Sequence, residues 1–258
     1  MKTLKIVKIG GNIIDNAKAL SVFLQQFATI EGPKVLVHGG GKLATQLADQ
    51  MNIPVRMHEG RRITDADTLD LITMVYAGKI NKAIVADLQG YDCNALGFTG
   101  ADGNTIVANK RPINSVDFGF VGDITTVNTH VLEVLIKSGI TPVFCAITHD
   151  KNGQLLNTNA DTIASELAIG FSKTFQTELY YCFEKNGVLE HVSDENSVIE
   201  HIDTKSYQKL LTKGIIANGM LPKLTNCFRS VNHGVHKVCI GKTEMLFNSS
   251  STYTSIQK

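Results

Sequence analysis

Apolar runs of strand length alternate with amphipathic stretches of helical period along most of the chain. The run "LKIVKI" (Leu4–Ile9) predicts a buried strand, and Asp15–Ile30 places Ala19, Leu20, Phe23, Leu24 and Phe27 on one helical face. "KVLVHGG" predicts a strand running into glycines, "KLATQLADQ" a short helix, and "VRMHEGRRIT" a hairpin or extended loop. A long helix is expected next over Thr64–Gly90, with Thr64 and Asp67 as a capping box and Gly90 as its stop. Further strands are expected at "NALGFT", "TIVANK", "FGFVGDI", "TPVFCAI", "ELYYCF" and "HKVCIG". Further helices are expected near Thr129–Ser138, Asn159–Phe171, Thr204–Lys213 and Met220–Asn232. The alternation predicts an α/β sandwich with a mainly parallel sheet. No linker rich in Gly or Pro marks a boundary, and "NSSSTYTSIQK" at the C-terminus is expected to fray.

Composition narrows the partners. The 258 residues suit one large or two small domains, and 43% hydrophobic content supports a sizeable core. A formal net charge of +1 argues against a nucleic-acid binder. No run reaches transmembrane length and no signal-peptide pattern opens the chain, so neither membrane nor export is expected. Five cysteines without CxxC spacing predict reduced thiols and a cytoplasmic protein. His233, His236 and Cys239 are close in sequence, but Cys239 falls inside the apolar run "VHKVCIG", so no metal site is assigned.

The candidate chemistry lies where strands meet glycines. In "LKIVKIGGN", Lys8 stands near a strand end, followed by Gly10 and Gly11; it is either a solvated edge lysine or an anion contact. "VHGGGKLAT" is strand, glycine loop, helix. Its spacing is not a Walker A loop, although Gly39, Gly41 and Ala44 satisfy a loose dinucleotide pattern with Glu59 as a possible acidic partner. Three consecutive glycines let backbone amides approach an anion at a helix N-terminus. Neighbouring parallel strands would open both glycine loops at one carboxyl edge, with Lys8 beside them. Arg61 and Arg62 in "GRRIT" are either a solvated pair or a carboxylate clamp. In "LLNTNAD", Asn157 and Asn159 alternate on an extended run and Asp161 enters the first turn of a helix. Capping accounts for Asn159 and Asp161 but not for Asn157. "GIIANGMLPK" puts Gly219 before a helix and Lys223 in its first turn, against the helix dipole.

In order and across nearly the whole chain, "KIGG", "VHGGGK", "GRRIT", "VGDI", "LLNTNAD" and "GIIANGMLPK" resemble the amino acid kinase family, and within it the branch that phosphorylates N-acetyl-L-glutamate in arginine biosynthesis. The resemblance implies a three-layer α/β/α fold, with residues 1–172 binding the acylglutamate and 173–258 binding ATP. It implies that Lys8 and Lys223 stabilise the phosphoryl group in flight, that Gly11 and Gly41 donate amides to it, and that Asp161 orients both lysines. Gly40, Gly41, Arg62 and Asn157 would hold the acylglutamate, with Asn159 in the same shell. Lys8, Gly10, Gly11, Glu184, Lys185, Gly187, Ile216, Gly219 and Lys223 would surround the nucleotide, whose Mg²⁺ would be held mainly through the phosphates. The family pattern "TDVxGV" reads "FEKNGV" here, which puts the nucleotide loop in question. An N-succinyl-L-glutamate substrate would use the same reaction centre, and a dinucleotide-binding protein is the rival class. A homodimer through the apolar face of the Thr64–Gly90 helix is expected. Arginine insensitivity is expected too, because only three residues precede the first strand and arginine-sensitive relatives carry an extra helix there.

Overall fold

The computed structural model describes residues 1–191, 193–212 and 221–257. Its strands are β1 (Thr3–Ile9), β2 (Lys34–His38), β3 (Arg56–His58), β4 (Arg61–Ile63), β5 (Ala95–Phe98), β6 (Ile106–Lys110), β7 (Gly122–Val127), β8 (Thr141–Phe144), β9 (Ile147–His149), β10 (Leu155–Asn157), β11 (Gln176–Cys182), β12 (His201–Ile202), β13 (Lys237–Gly241) and β14 (Thr254–Ile256). The helices are α1 (Gly11–Ile14), α2 (Ala17–Ala28), α3 (Gly41–Gln50), α4 (Ala66–Thr73), α5 (Asn81–Gly90), α6 (His130–Lys137), α7 (Ala160–Phe171), α8 (Thr204–Thr212) and α9 (Leu221–Asn232), with a π-helical segment at Met74–Ile80.

One eight-stranded sheet, ordered β12-β14-β13-β11-β1-β2-β8-β5, forms the frame. From β13 to β5 every pairing is parallel, and β14 runs antiparallel to β13. β1 is central because both its faces are apolar: Leu4, Ile6, Val7 and Ile9 are fully buried, as a strand covered on two sides requires. Helices supply the covers. α5 lies on β5 and β8 with α2 beside it, and α7 lies on β1, β2 and β11 with α9 beside it, giving the three-layer α/β/α arrangement. The sheet is continuous across residue 172, since β1 pairs with β11 from Thr3↔Gln176 to Ile9↔Cys182. A smaller sheet, β10-β9-β6-β7, and the β3-β4 hairpin stand apart from it.

Several local expectations change. The helix expected at Asp15–Ile30 begins at Ala17, because the Asn16 side chain accepts the Ala19 amide and caps it, and a separate turn, α1, precedes it. Asp65, not Thr64, caps α4 by accepting the Thr68 amide, while Thr64 is held by Phe118 and Phe120. "TPVFCAI" is two strands in different sheets, β8 and β9. The expected strand "FGFVGDI" becomes β7 only from Gly122 onward. Near the C-terminus, Thr254, Ser255 and Ile256 do not fray but form buried β14. On the long helix Leu69, Ile72, Tyr76, Ile80, Ile84 and Leu88 are buried within the chain, while Thr73 is half-buried and Lys79 and Ala83 are exposed. Lys213 and Met220, at the edges of two expected helices, lie outside the described residues.

Candidate functional site

The parallel register places Ile9 opposite His38, so the chain leaves β1 and β2 side by side at the same carboxyl edge. Gly10 and Gly11 lead into α1, and Gly39–Gly41 lead into α3. Lys42 ties the two loops together, its Nζ donating to Asn12 Oδ1 at 2.8 Å and lying 3.8 Å from Asp15 Oδ2. Gly40 has to be glycine, since a Cβ there would stand 2.4 Å from Ile80 Cδ1 and 2.9 Å from Tyr76 Cδ1. Lys8 Nζ reaches the first of these loops, lying 3.8 Å from where a Cβ on Gly10 would stand.

Asp161 sits between two lysines. Lys8 Nζ is 2.7 Å from Asp161 Oδ1, and Lys223 Nζ is 4.0 Å from Asp161 Oδ2. The residue is fixed from three directions, two of them through its backbone. Asn159 caps α7, its Oδ1 accepting the amides of Asp161 at 2.8 Å and Thr162 at 3.2 Å; Tyr181 Oη donates to the Asp161 carbonyl at 2.9 Å; Lys8 grips the side chain. Burial, the largest influence, pushes the Asp161 pKa up, but the Lys8 and Lys223 charges and the Lys8 hydrogen bond together hold it below the ordinary carboxylate value. Lys223 also lies over the Phe183 ring, 5.3 Å from its centroid. Two ammonium groups therefore flank one carboxylate.

A second anion contact lies on the α3 side. Arg62, on β4, is 9% exposed; its Nη2 donates to Gly41 O at 3.1 Å and Thr45 Oγ1 at 2.8 Å, while its buried Nη1 has no protein partner. A buried guanidinium nitrogen left open beside glycine amides fits a carboxylate. Asn157, on β10, is joined to the same wall through its Nδ2, which donates to Thr64 Oγ1 at 2.9 Å. Gly119 (φ +69°) passes so close to Thr64 that a Cβ would stand 2.1 Å from the Thr64 carbonyl oxygen.

Asp161, Tyr181, Phe183, Lys223, Asn226 and Ile240 line a cleft on the β11–β13 side of the lysines. Of the residues assigned to the nucleotide, Lys185 pairs with Glu195 at 2.8 Å, and Glu184 is exposed. Gly187 has a packing reason to be glycine, because a Cβ would meet Thr254 Oγ1 at 2.6 Å. Ile216 and Gly219 lie outside the described residues. The dinucleotide reading loses its frame. The strand after α3 is β3, an exposed hairpin strand outside the main sheet, and Glu59 sits at the hairpin tip with φ +48° rather than at the end of a second parallel strand. Thr45, Thr64 and Tyr76 shape the site, although the sequence pattern alone does not mark them as site residues. Thr45 could be found as the residue four after Gly41 on the same helical face; Tyr76 carries no such signal.

The description "Amino acid kinase family" matches residues 3–242 of the chain. Acetylglutamate kinase from Cytophaga hutchinsonii is 51% identical over 247 residues, covering 95% of this chain and 94% of that protein. Acetylglutamate kinase from Parabacteroides distasonis is 49% identical over 252 residues, covering 98% and 99%. At the level of fold, carbamate kinase from Giardia lamblia bound to AMP-PNP superposes with a TM-score of 0.72 at 15% identity, covering 100% of this chain and 98% of that one. Sheet order, paired glycine loops and this similarity over nearly the full length agree: the chain belongs to the amino acid kinase family.

Proposed function

We propose that the chain transfers the γ-phosphoryl group of ATP to the γ-carboxylate of N-acetyl-L-glutamate, as relatives about half identical to it are named for doing. The observation that carries the reading is the Lys8–Asp161–Lys223 bridge at the carboxyl edge between two glycine loops. The acceptor carboxylate is already ionised at neutral pH, so no general base is required. The difficulty is bringing one anion against another, and catalysis comes from alignment and charge neutralisation. Lys8 and Lys223 approach the reaction centre from β1 and α9, and Asp161 keeps the ammonium groups apart and aimed. The amides of Gly11 and Gly41 donate to the oxygens of the transferring group, where charge grows in the transition state. Arg62, steered by Thr45, takes the α-carboxylate through Nη1, and Gly40 and Asn157 complete that wall.

The nucleotide occupies the Phe183 side, within reach of Gly10, Glu184, Lys185 and Gly187, so residues 1–172 serve the acceptor and 173–258 the donor. Mg²⁺ bound with ATP would supply charge screening at its phosphates. Asp161 is engaged by Lys8 and Lys223, so the ion would be held mainly through the phosphates. The five cysteines are free and buried, which suits a reducing cytoplasm, and no described helix is long and apolar enough to cross a membrane. A homodimer is the proposed assembly.

The test is an ATP-dependent hydroxamate assay with N-acetylglutamate, N-succinylglutamate, glutamate and aspartate. Acetylglutamate is expected to give the highest kcat/KM, and failure to release ADP with every acylglutamate would refute the reading. Preference for the succinyl compound would keep the chemistry and change the substrate.

A further inference from the structure

His38 is fully buried at the end of β2, one residue before the glycine loop. Its two ring nitrogens have different partners. Nδ1 lies 2.8 Å from Gly39 O, which can only accept, so Nδ1 carries the proton. Nε2 lies 3.0 Å from Asn81 Nδ2, which can only donate, and the same amide nitrogen also donates to Val143 O at 2.9 Å. Lys82 Nζ donates to Asn81 Oδ1 at 3.3 Å, which fixes the amide's orientation. Every polar atom of this chain of contacts therefore specifies one ring tautomer and one rotation of the Gly39 carbonyl.

The surroundings are arranged around the same contact. Asn81 is the first residue after the π-helical segment Met74–Ile80. One extra residue in a turn rotates the next stretch of helix by about 100° around its axis. That segment also supplies Tyr76 and Ile80, which close over Gly40. On the opposite side Gly97 of β5 leaves the room Asn81 needs: a Cβ there would stand 1.8 Å from Asn81 Oδ1 and 2.7 Å from Lys82 Nζ.

We propose that His38 and Asn81 are positioning residues, a neutral relay that fixes the Gly39 carbonyl, and with it the plane of the Gly39–Gly40 peptide, and thereby sets the course of the loop that aims the Gly41 amide at the transferring group. The inference rests on the kinase reading for its catalytic consequence, but not for its geometry. Burial pushes the His38 pKa down to about 4, so the ring stays neutral in the working range and keeps one proton to place.

Two measurements test it. Nitrogen-15 spectra of the imidazole rings in the wild-type protein should show His38 protonated at Nδ1 and bare at Nε2 from pH 5 to 8; the opposite tautomer would overturn the proposal. Asn81→Ala removes the donor, Asn81→Asp turns it into an acceptor that demands a proton on Nε2, and Gly97→Ala displaces Asn81 without touching His38. Each folded variant should lose on the order of 10-fold in kcat, as for a misaim of somewhat under 1 Å, with KM for ATP and acylglutamate within about 2-fold. A folded Gly97→Ala or Asn81→Ala enzyme with unchanged kcat, or one altered only in KM, would refute it. If the variants do not fold, the wild-type tautomer decides. A wild-type protein inactive on every acylglutamate would sink the kinase reading instead, and the ring measurement would still decide this one.

Discussion

Gly119→Ala should damage both stability and acceptor binding, and a paired control separates the causes. Gly119 has φ +69° and Gly139, after α6, has φ +77°, so alanine meets the same backbone cost at both, about 1–2 kcal/mol. The relief of unfolded-chain entropy is also shared. The surroundings differ. At Gly139 nothing lies within 4 Å of the added Cβ, whereas at Gly119 the Thr64 carbonyl oxygen lies 2.1 Å away. Ordinary contact begins at 3.4 Å, so backbone must separate by 3.4 − 2.1 = 1.3 Å. That movement breaks two hydrogen bonds, Thr64 N to Phe118 O at 2.9 Å and Phe120 N to Thr64 O at 2.7 Å. At about 0.5–1.5 kcal/mol each, they bring the total for Gly119→Ala to roughly 2–5 kcal/mol. Urea melts at neutral pH should rank Gly119→Ala well below Gly139→Ala with similar slopes. Thr64 also accepts from Asn157 and follows Arg62 by two residues, so KM for acylglutamate should rise on the order of 10-fold or more. A Gly119→Ala protein as stable as Gly139→Ala, with unaltered KM, would show that the Thr64 contact does not hold the site together.

Lys8→Ala and Lys223→Ala should each lower kcat by about 10²-fold or more, while Arg62→Ala should mainly raise KM for acylglutamate; steady-state kinetics with both substrates varied distinguishes them, and near-normal turnover in Lys8→Ala would count against the bridge. His38 has a folded pKa of about 4, below its ordinary value, so the unfolded chain binds a proton more readily and stability is lost as pH falls from about 6.5 toward 4. The loss is on the order of 3 kcal/mol, and pH-resolved urea melts of wild type and His38→Gln should show that slope only in the wild type. Light scattering at micromolar concentration should give twice the chain mass; a monomer would remove the dimer from the proposal.

The frame of the protein was legible wherever one physical signal dominated. β1, β2, β11 and β13 are apolar runs stopped by glycine or a polar turn, and their shared carboxyl edge is a consequence of that pattern. Lys8 and Lys223 stood out because a buried strand end and a helix dipole disfavour them, whereas Asp161, in a first turn that favours a carboxylate, read as simple capping until the fold set it between the two lysines. The features that escaped had competing signals or none. "TPVFCAI" is apolar throughout, so nothing in its period marks the break between β8 and β9. β14 reads as polar, yet Thr254 Oγ1 accepts from the Val188 amide and donates to Ile199 O, which satisfies the hydroxyl and lets the strand be buried. The long helix showed its apolar face correctly, but whether that face met the chain's own sheet or a second copy could not be told from period alone. His38 and Asn81 lie 43 positions apart and meet only through the sheet.

The central place of β1 has a consequence for synthesis. It leaves the ribosome before either neighbour; one of them, β2, emerges soon after, but the other, β11, ends at Cys182. Between His38 and Cys182 the ribosome must add 182 − 38 = 144 residues. At about 5–20 residues per second that interval is roughly 7–29 s. Throughout it, one side of an apolar strand has open backbone groups with no partner, the condition under which nascent chains associate with one another. Demand for chaperone protection should therefore peak before β11 emerges, and ribosome-bound chains arrested ahead of Cys182 should be more aggregation-prone than those arrested after it.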